Sequence, residues 1–184
     1  MILDYKKHRL DVAGAMRRGK VAIFPTDTIY GIGTIWNSPN NSKIFRIKKR
    51  KKDKPLLILS DFKWIDEFAD LGGLKEELER YWPGPFTLII NTKICLPWWI
   101  SDGRSAAFRV PRNRELLELI RAVGAPITAT SVNFSGEAPL NDITKIKRIY
   151  AKHVDIIAED DSFVPAKPSK VIDLREISTK RRIR

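Results

Sequence analysis

Cysteine and histidine are almost missing from this chain of 184 residues: Cys95 stands alone, and His8 and His153 are the only histidines. One thiol can form neither a disulfide framework nor a thiolate cage for zinc or iron–sulfur. Two histidines so far apart exclude the paired-histidine helix of zinc hydrolases, and a Ser-His-Asp triad would have to be built on one of them. No apolar run approaches the roughly 20 residues of a membrane-spanning helix. The phosphate loop Gly-x-x-x-x-Gly-Lys-Ser/Thr is absent, as is a Gly-x-Gly-x-x-Gly after a strand. The stretch Met1 to Arg9 is charged where a secretory leader would be apolar, which predicts a cytoplasmic protein. Chemistry in such a chain falls to positioned cations, hydroxyls and backbone groups.

What is present is an ordinary core and an uneven charge. Apolar residues make up 43% and charged residues 30%, a balance that excludes disorder and predicts one domain over 1–184, with a core at about 5–175 and a basic tail at 180–184. The net charge is +12. Residues 1–60 hold 14 bases against 4 acids, leaving 20 against 18 for the rest. A concentrated positive field recruits polyanions such as nucleotides or RNA, whereas a merely solvated surface would carry no function.

Along the chain, short β-rich runs alternate with helical ones. Helices are predicted at 5–18, from about Asn40 to Arg50, at Phe62–Leu71, Leu74–Tyr81, Arg114–Val123 and Ile143–Tyr150. Strands are predicted at Val21–Phe24, Pro55–Leu59, Phe86–Ile90, Ala106–Val110, Ile127–Thr130, Val154–Ala158 and Lys170–Leu174. This order predicts an α/β class: a single-domain twisted mixed sheet with helices packed on it.

Four segments carry chemically capable groups. After the strand ending at Phe24, Pro25-Thr26-Asp27-Thr28-Ile29-Tyr30-Gly31-Ile32-Gly33 reads as a loop rich in hydroxyls, with two glycines for a tight turn or close approach to a ligand. Lys48-Lys49-Arg50-Lys51-Lys52-Asp53-Lys54 places six bases in seven positions at a helix end, where Lys48 and Lys52 would share a face and two or three could grip a triphosphate. In Thr130-Ser131-Val132-Asn133, alternate residues Ser131 and Asn133 would present a hydroxyl and an amide to one side. Arg109 sits in an apolar strand, so it needs an anion, either a structural carboxylate or one from a substrate.

Together these segments resemble the YrdC-like family, whose characterised members are threonylcarbamoyl-AMP synthases. The resemblance rests on Pro25-Thr26-Asp27-Thr28-x-Tyr30-Gly31-x-Gly33, Lys48-x-Arg50, Trp82-Pro83-Gly84-Pro85-Phe86-Thr87, Arg109-Val110-Pro111 and Ser131-x-Asn133, in the family's order and over residues 5 to about 175. It implies the YrdC-like fold in its short, single-domain form. It also implies a nucleotidyltransferase that makes threonylcarbamoyl-adenylate and pyrophosphate from ATP, bicarbonate and L-threonine. Lys48 and Arg50 would be catalytic. With Lys54, Ser105, Asn133, Asn141 and Ser169 they would hold ATP, while Thr28, Arg109 and Ser131 would bind L-threonine. Mg²⁺ would arrive on the triphosphate, with no protein ligands assigned to it. Other proteins would transfer the group to tRNA, with transient contact to this one. Two other readings stay open: an RNA-binding module built on the basic helix, and a carbamoyl transferase of the same fold. The surplus cations, among them Lys6, Lys7, Arg9, Lys51 and Lys52, predict weak RNA binding on a surface outside the cavity.

Overall fold

Proline and glycine cut the apolar runs short, so no strand among the described residues exceeds six residues. The structure, a computed structural model, describes residues 1–176; the basic tail at 180–184 lies outside the described residues. The strands are β1 (Ile2–Asp4), β2 (Ala22–Phe24), β3 (Gly31–Gly33), β4 (Leu57–Leu59), β5 (Phe86–Asn91), β6 (Ser105–Arg109), β7 (Ile127–Ser131), β8 (Ile156–Glu159) and β9 (Lys170–Asp173). They form one mixed sheet in the order β1-β8-β2-β3-β7-β4-β6-β5-β9. The helices are α1 (Tyr5–Arg17), α2 (Asn41–Lys48), α3 (Phe62–Phe68), α4 (Lys75–Tyr81), α5 (Arg114–Val123) and α6 (Ile143–Tyr150). None is long and apolar enough to cross a membrane.

Local chemistry sets the helix ends. Asp4 accepts from the Lys6 and Lys7 amides at 3.0 and 3.1 Å, Asn113 from Leu116 at 2.8 Å and Asp142 from Lys145 at 3.0 Å. Gly124 closes α5 in the left-handed region. Val12 and Met16 of α1 and Leu119 and Ile120 of α5 pack on one face of the sheet with Phe24, Ile127 and Ile156. Ile44 of α2, Phe68 of α3, Leu78 of α4 and Ile146 of α6 join the larger core with Ile23, Ile32 and Phe108.

Three expectations need correction. The run at Val21–Phe24 is the second strand, because Ile2–Asp4 already pairs in parallel with β8. Three residues are too few to show a period, and the charged residues that follow dominate any window there. Gly31–Gly33 is a strand paired antiparallel to β2, and is not part of a loop. Helix α2 stops at Lys48: Lys49 takes φ 51°, ψ 40°, so Lys48 and Lys52 share no helical face.

Gly33 does not turn the chain; it lets strands meet. A Cβ there would stand 1.8 Å from the Thr128 carbonyl oxygen, which is main chain and cannot rotate away. Gly33→Ala should therefore destabilise the protein by about 3 kcal/mol, the upper part of the overpacking range. Denaturant unfolding checks this, and a loss under about 1 kcal/mol would show that β3 and β7 can part.

Candidate active site

Strand alternation builds the cavity. Leu57 and Leu59 of β4, Ala107 and Arg109 of β6, and Ala129 and Ser131 of β7 project from one face and line a concavity of about 310 Å³. That volume is at the small end for a ligand site. The wall between these strands is apolar, and polar groups ring it: Thr26, Thr28, Arg50, Thr87, Arg109 and Ser169. No aspartate, glutamate, histidine or cysteine lines it.

Arg109 is 2% exposed and reaches three partners. Its Nε donates to the Gly84 carbonyl at 3.2 Å, Nη1 to Thr28 Oγ1 at 3.1 Å and Nη2 to Asp27 Oδ1 at 2.6 Å. Of the two anionic partners that remained open for this arginine, the structure supplies a structural carboxylate, Asp27. Burial lowers the pKa of Arg109 and the Asp27 carboxylate opposes that shift. A guanidinium has five N–H groups; three are engaged, and two remain on a residue that lines the cavity. Gly84 is placed for this by the Trp82–Thr87 segment, where its amide donates to Val110 at 2.9 Å and Trp82 Nε1 donates to Phe86 at 2.8 Å.

The hydroxyls after β2 are held by their own turn. Thr26 Oγ1 accepts from the Thr28 and Ile29 amides at 3.2 Å each and donates to the Ile29 carbonyl at 2.6 Å. Thr28 Oγ1 is thereby fixed between Thr26 and Arg109. Across the cavity, Thr87 and Ser169 share a hydroxyl hydrogen bond at 2.8 Å. The Ala166 amide donates to the Thr28 carbonyl at 2.6 Å, which draws the segment before Ser169 over the site.

Lys48 and the Ser131–Asn133 turn form a second polar unit behind this wall. Lys48 is 1% exposed and, among the described residues, is met by carbonyl and amide oxygens and by no carboxylate. Its Nζ donates to the Asn133 carbonyl at 2.9 Å, and closely to the Ser131 carbonyl and Asn133 Oδ1. Three donors meet three acceptors, so the ammonium is fully used. Ser131 Oγ donates to the same Asn133 Oδ1 at 2.8 Å, and Asn133 Nδ2 to the Glu137 carbonyl at 2.6 Å. Burial, with repulsion from Arg50 second, pushes the Lys48 pKa down to about 7; the convergent oxygens favour its charged form.

The remaining residues named from the sequence are placed as follows. Arg50 lines the cavity, with Nε donating to the Lys54 carbonyl at 2.6 Å and Nη2 to the Pro55 carbonyl at 2.9 Å. Lys54 contributes that carbonyl, while its side chain is exposed and does not line the cavity. Asn141 supports the fold, its Oδ1 accepting from the Tyr30 amide at 3.0 Å. Ser105 is not brought to the site: its hydroxyl donates to Asp102 at 2.9 Å and borders a separate hollow with Arg104 and Arg175. It is the first residue of β6, four positions from Arg109, so alternation puts both on one face but at opposite ends of the strand. The sequence reading missed Thr26, Thr87 and Asp27 as site components. The first and last already lay in the Pro25–Gly33 string, and Thr87 closes the Trp82–Thr87 string.

Comparison with known proteins agrees with this architecture. The Sua5/YciO/YrdC family model, described as telomere recombination, matches residues 14–184. The threonylcarbamoyl-AMP synthase of Pyrococcus abyssi is 33% identical over 171 residues, which are 89% of this chain and 50% of that protein. The chain thus spans about half the length of that archaeal relative. The synthase of Cellvibrio japonicus is 29% identical over 167 residues, 88% of each chain. The crystal structure of P. abyssi Sua5 complexed with L-threonine matches with a TM-score of 0.85 at 30% identity, over 95% of this chain and 54% of that one. By the extent of the family match and the fold it shares, this chain belongs to the Sua5/YciO/YrdC family.

Proposed function

We propose that this protein is an L-threonylcarbamoyladenylate synthase, a nucleotidyltransferase that joins L-threonine, bicarbonate and ATP and releases pyrophosphate. The observation that carries the reading is the cavity itself: a buried guanidinium with two N–H groups to spare, ringed by hydroxyls, with Arg50 at its rim. An amino acid fits it through its carboxylate and hydroxyl, and an amino-acid-bound structure exists for a relative at 30% identity.

The chemistry asks little of a protein nucleophile. The threonine nitrogen attacks the carbonyl carbon of bicarbonate, water leaves, and a carbamate results. A carbamate oxygen then attacks the α-phosphorus of ATP, the bond to the β-phosphate oxygen breaks, and pyrophosphate departs. Such a displacement is accelerated by alignment and charge neutralisation. Arg109 and Thr28 would hold threonine by its carboxylate and hydroxyl. Arg50 would neutralise charge on the phosphates, with the Lys48–Ser131–Asn133 unit fixing the wall beside them. Among the described residues no cluster of three or more His, Cys, Asp or Glu could hold a metal ion. Mg²⁺ would enter as part of the nucleotide substrate, on phosphate oxygens. The adenylate would then pass to proteins that place the threonylcarbamoyl group on tRNA.

The test is an incubation with ATP, bicarbonate and L-threonine, read by mass for the adenylate and by pyrophosphate release. Product is expected only when all three are present; its absence with a folded protein would overturn the reading. Serine, which lacks one methyl, should lose roughly 1–3 kcal/mol against threonine. Valine should lose more, since it leaves a buried hydroxyl partner unpaired. Relative kcat/KM values decide the order.

A further inference from the structure

Two uncharged polar side chains are shut into the core where α2 meets the sheet. Asn41, the first residue of α2, and Thr128, in β7, are both 0% exposed. Polar groups in such a place cost free energy unless they are bonded, and these two are bonded to each other. Thr128 Oγ1 donates to Asn41 Oδ1 at 2.6 Å and accepts from the Thr34 amide at 3.1 Å. Asn41 Nδ2 donates to the Ser38 carbonyl at 2.8 Å and the Ile35 carbonyl at 3.0 Å, which fixes the turn leading into the helix. Thr34 is equally buried, yet its Oγ1 meets no partner among the described residues. The Asn41–Thr128 bond is thus a specific pairing beside a hydroxyl that goes unused.

The far ends of the same helix and strand meet again at the candidate site. Lys48 closes α2, and its Nζ donates to the carbonyls of Ser131, the last residue of β7, and of Asn133. The Lys48 carbonyl in turn accepts from the Ser135 amide at 2.8 Å. Helix and strand therefore run side by side, joined at both ends, and their lengths agree. The helical rise from Asn41 to Lys48 is about 10.5 Å, and the extended rise from Thr128 to Ser131 is about 10 Å. Alternation turns Thr128 towards the helix and Ala129 and Ser131 towards the cavity. Apolar contacts along α2 would tolerate a slide, whereas a hydrogen bond is short and directional. A slip of one helical step, about 1.5 Å, would stretch the Ser135 bond past its limit and draw Lys48 off its acceptors.

We propose that Asn41 and Thr128 are positioning residues: their hydrogen bond sets the register of α2 on β7, and through it holds Lys48 and the Ser131–Asn133 turn in the geometry that adenylate formation needs. Neither residue lines the cavity, so both act through Lys48. A fully bonded buried polar pair specifies one packing arrangement among several that apolar groups would allow. The link to synthesis rests on the activity proposed above; the register itself does not.

The experiment compares Thr128→Val, which keeps the shape and loses the hydroxyl, with Thr128→Ser, which keeps the hydroxyl and loses a methyl. Both should melt below wild type. Only Thr128→Val should lose adenylate synthesis, by roughly 10–100-fold, the effect of misplacing a reacting group by about 1 Å. Thr34→Val removes the unused hydroxyl and should synthesise at the wild-type rate. The threonine-dependent rise in Tm should persist in Thr128→Val, because Arg109 and Thr28 are held by other partners. On a Lys48→Met background, Thr128→Val should cost less than about twofold more, since the two residues act as one unit. A readout without substrates is exchange of the Ser135 amide, which should quicken in Thr128→Val relative to the Leu116 amide on α5. If wild type makes no adenylate, quickened exchange would keep the register and sink only the activity. Asn41→Ser, too short to reach Thr128, carries the same expectations if Thr128→Val does not fold. Wild-type synthesis by Thr128→Val, a Thr128→Ser variant equally slow, independent losses with Lys48→Met, or unchanged Ser135 exchange would overturn the proposal.

Discussion

Lys48→Met is expected to yield a folded protein that has lost adenylate synthesis by roughly 10³-fold, near the upper end of what truncating a buried charge costs. The two effects separate because burial acts on them differently. The Lys48 ammonium is desolvated and faces the Arg50 guanidinium, so removing it relieves an electrostatic penalty. That relief offsets the two carbonyl oxygens that lose this donor, Asn133 Oδ1 keeping the Ser131 hydroxyl, and net stability should move by no more than about 2 kcal/mol. Function has no such offset. Without Nζ, only the Ser131 Oγ bond to Asn133 Oδ1 still ties the two residues, the tie to the Ser131 and Asn133 carbonyls is lost, and the turn behind the cavity wall is free to relax. Lys48→Arg should not rescue it, since a planar fork cannot meet three convergent acceptors. Pyrophosphate release and denaturant unfolding on the same preparations decide the matter; near-normal release from Lys48→Met would remove Lys48 from the machinery.

The same residue gives a pH signature. A lysine titrates near 10.4 when unfolded, whereas Lys48 is pushed down to about 7 in the fold. Between those values the unfolded chain binds the extra proton, so stability rises with pH across that window. Wild type should gain stability relative to Lys48→Met between about pH 7 and pH 10; parallel curves would show that the ammonium survives throughout.

This pairing also shows what a sequence can and cannot disclose. Lys48, Ser131 and Asn133 were legible as motif residues, because spacings of two are local. Their mutual engagement was not, since it depends on β7 lying beside the end of α2 across some 83 positions. The helix forecasts at Arg114–Val123 and Ile143–Tyr150 match the structure, since both begin at a side-chain cap and carry a strong apolar stripe. The strands at Ile2–Asp4 and Gly31–Gly33 escaped, because three residues cannot show a period and two glycines argue against a strand by propensity. Only pairing with β2 and β7 stabilises the second of these. Lys6 looked like spare charge for the same reason that Asp27 looked like a loop residue: their partners, Asp160 and Arg109, are distant in the chain.

Arg109 and Asp27 should produce the largest stability effects in the protein. Arg109→Ala leaves the Asp27 carboxylate, 14% exposed, facing an empty pocket; a loss of about 3–5 kcal/mol is expected, together with threonine binding. That variant alone cannot separate folding from recognition, and Asp27→Asn does. The amide keeps an acceptor oxygen for Arg109 Nη2 but removes the negative charge, which leaves a guanidinium buried and uncompensated. The variant should therefore be destabilised without ligand by a similar amount. L-Threonine, whose carboxylate supplies the missing charge through the two uncommitted N–H groups, should then stabilise Asp27→Asn more than it stabilises wild type. The comparison is the rise in Tm with threonine concentration, since a ligand that binds only the native state stabilises it by RT ln(1 + [L]/Kd). In wild type the incoming carboxylate meets a guanidinium already neutralised by Asp27, so the gain there is smaller. If threonine protects Asp27→Asn no better than wild type, the free side of Arg109 does not face the substrate carboxylate, and the arginine serves only to tie β6 to the turn after β2.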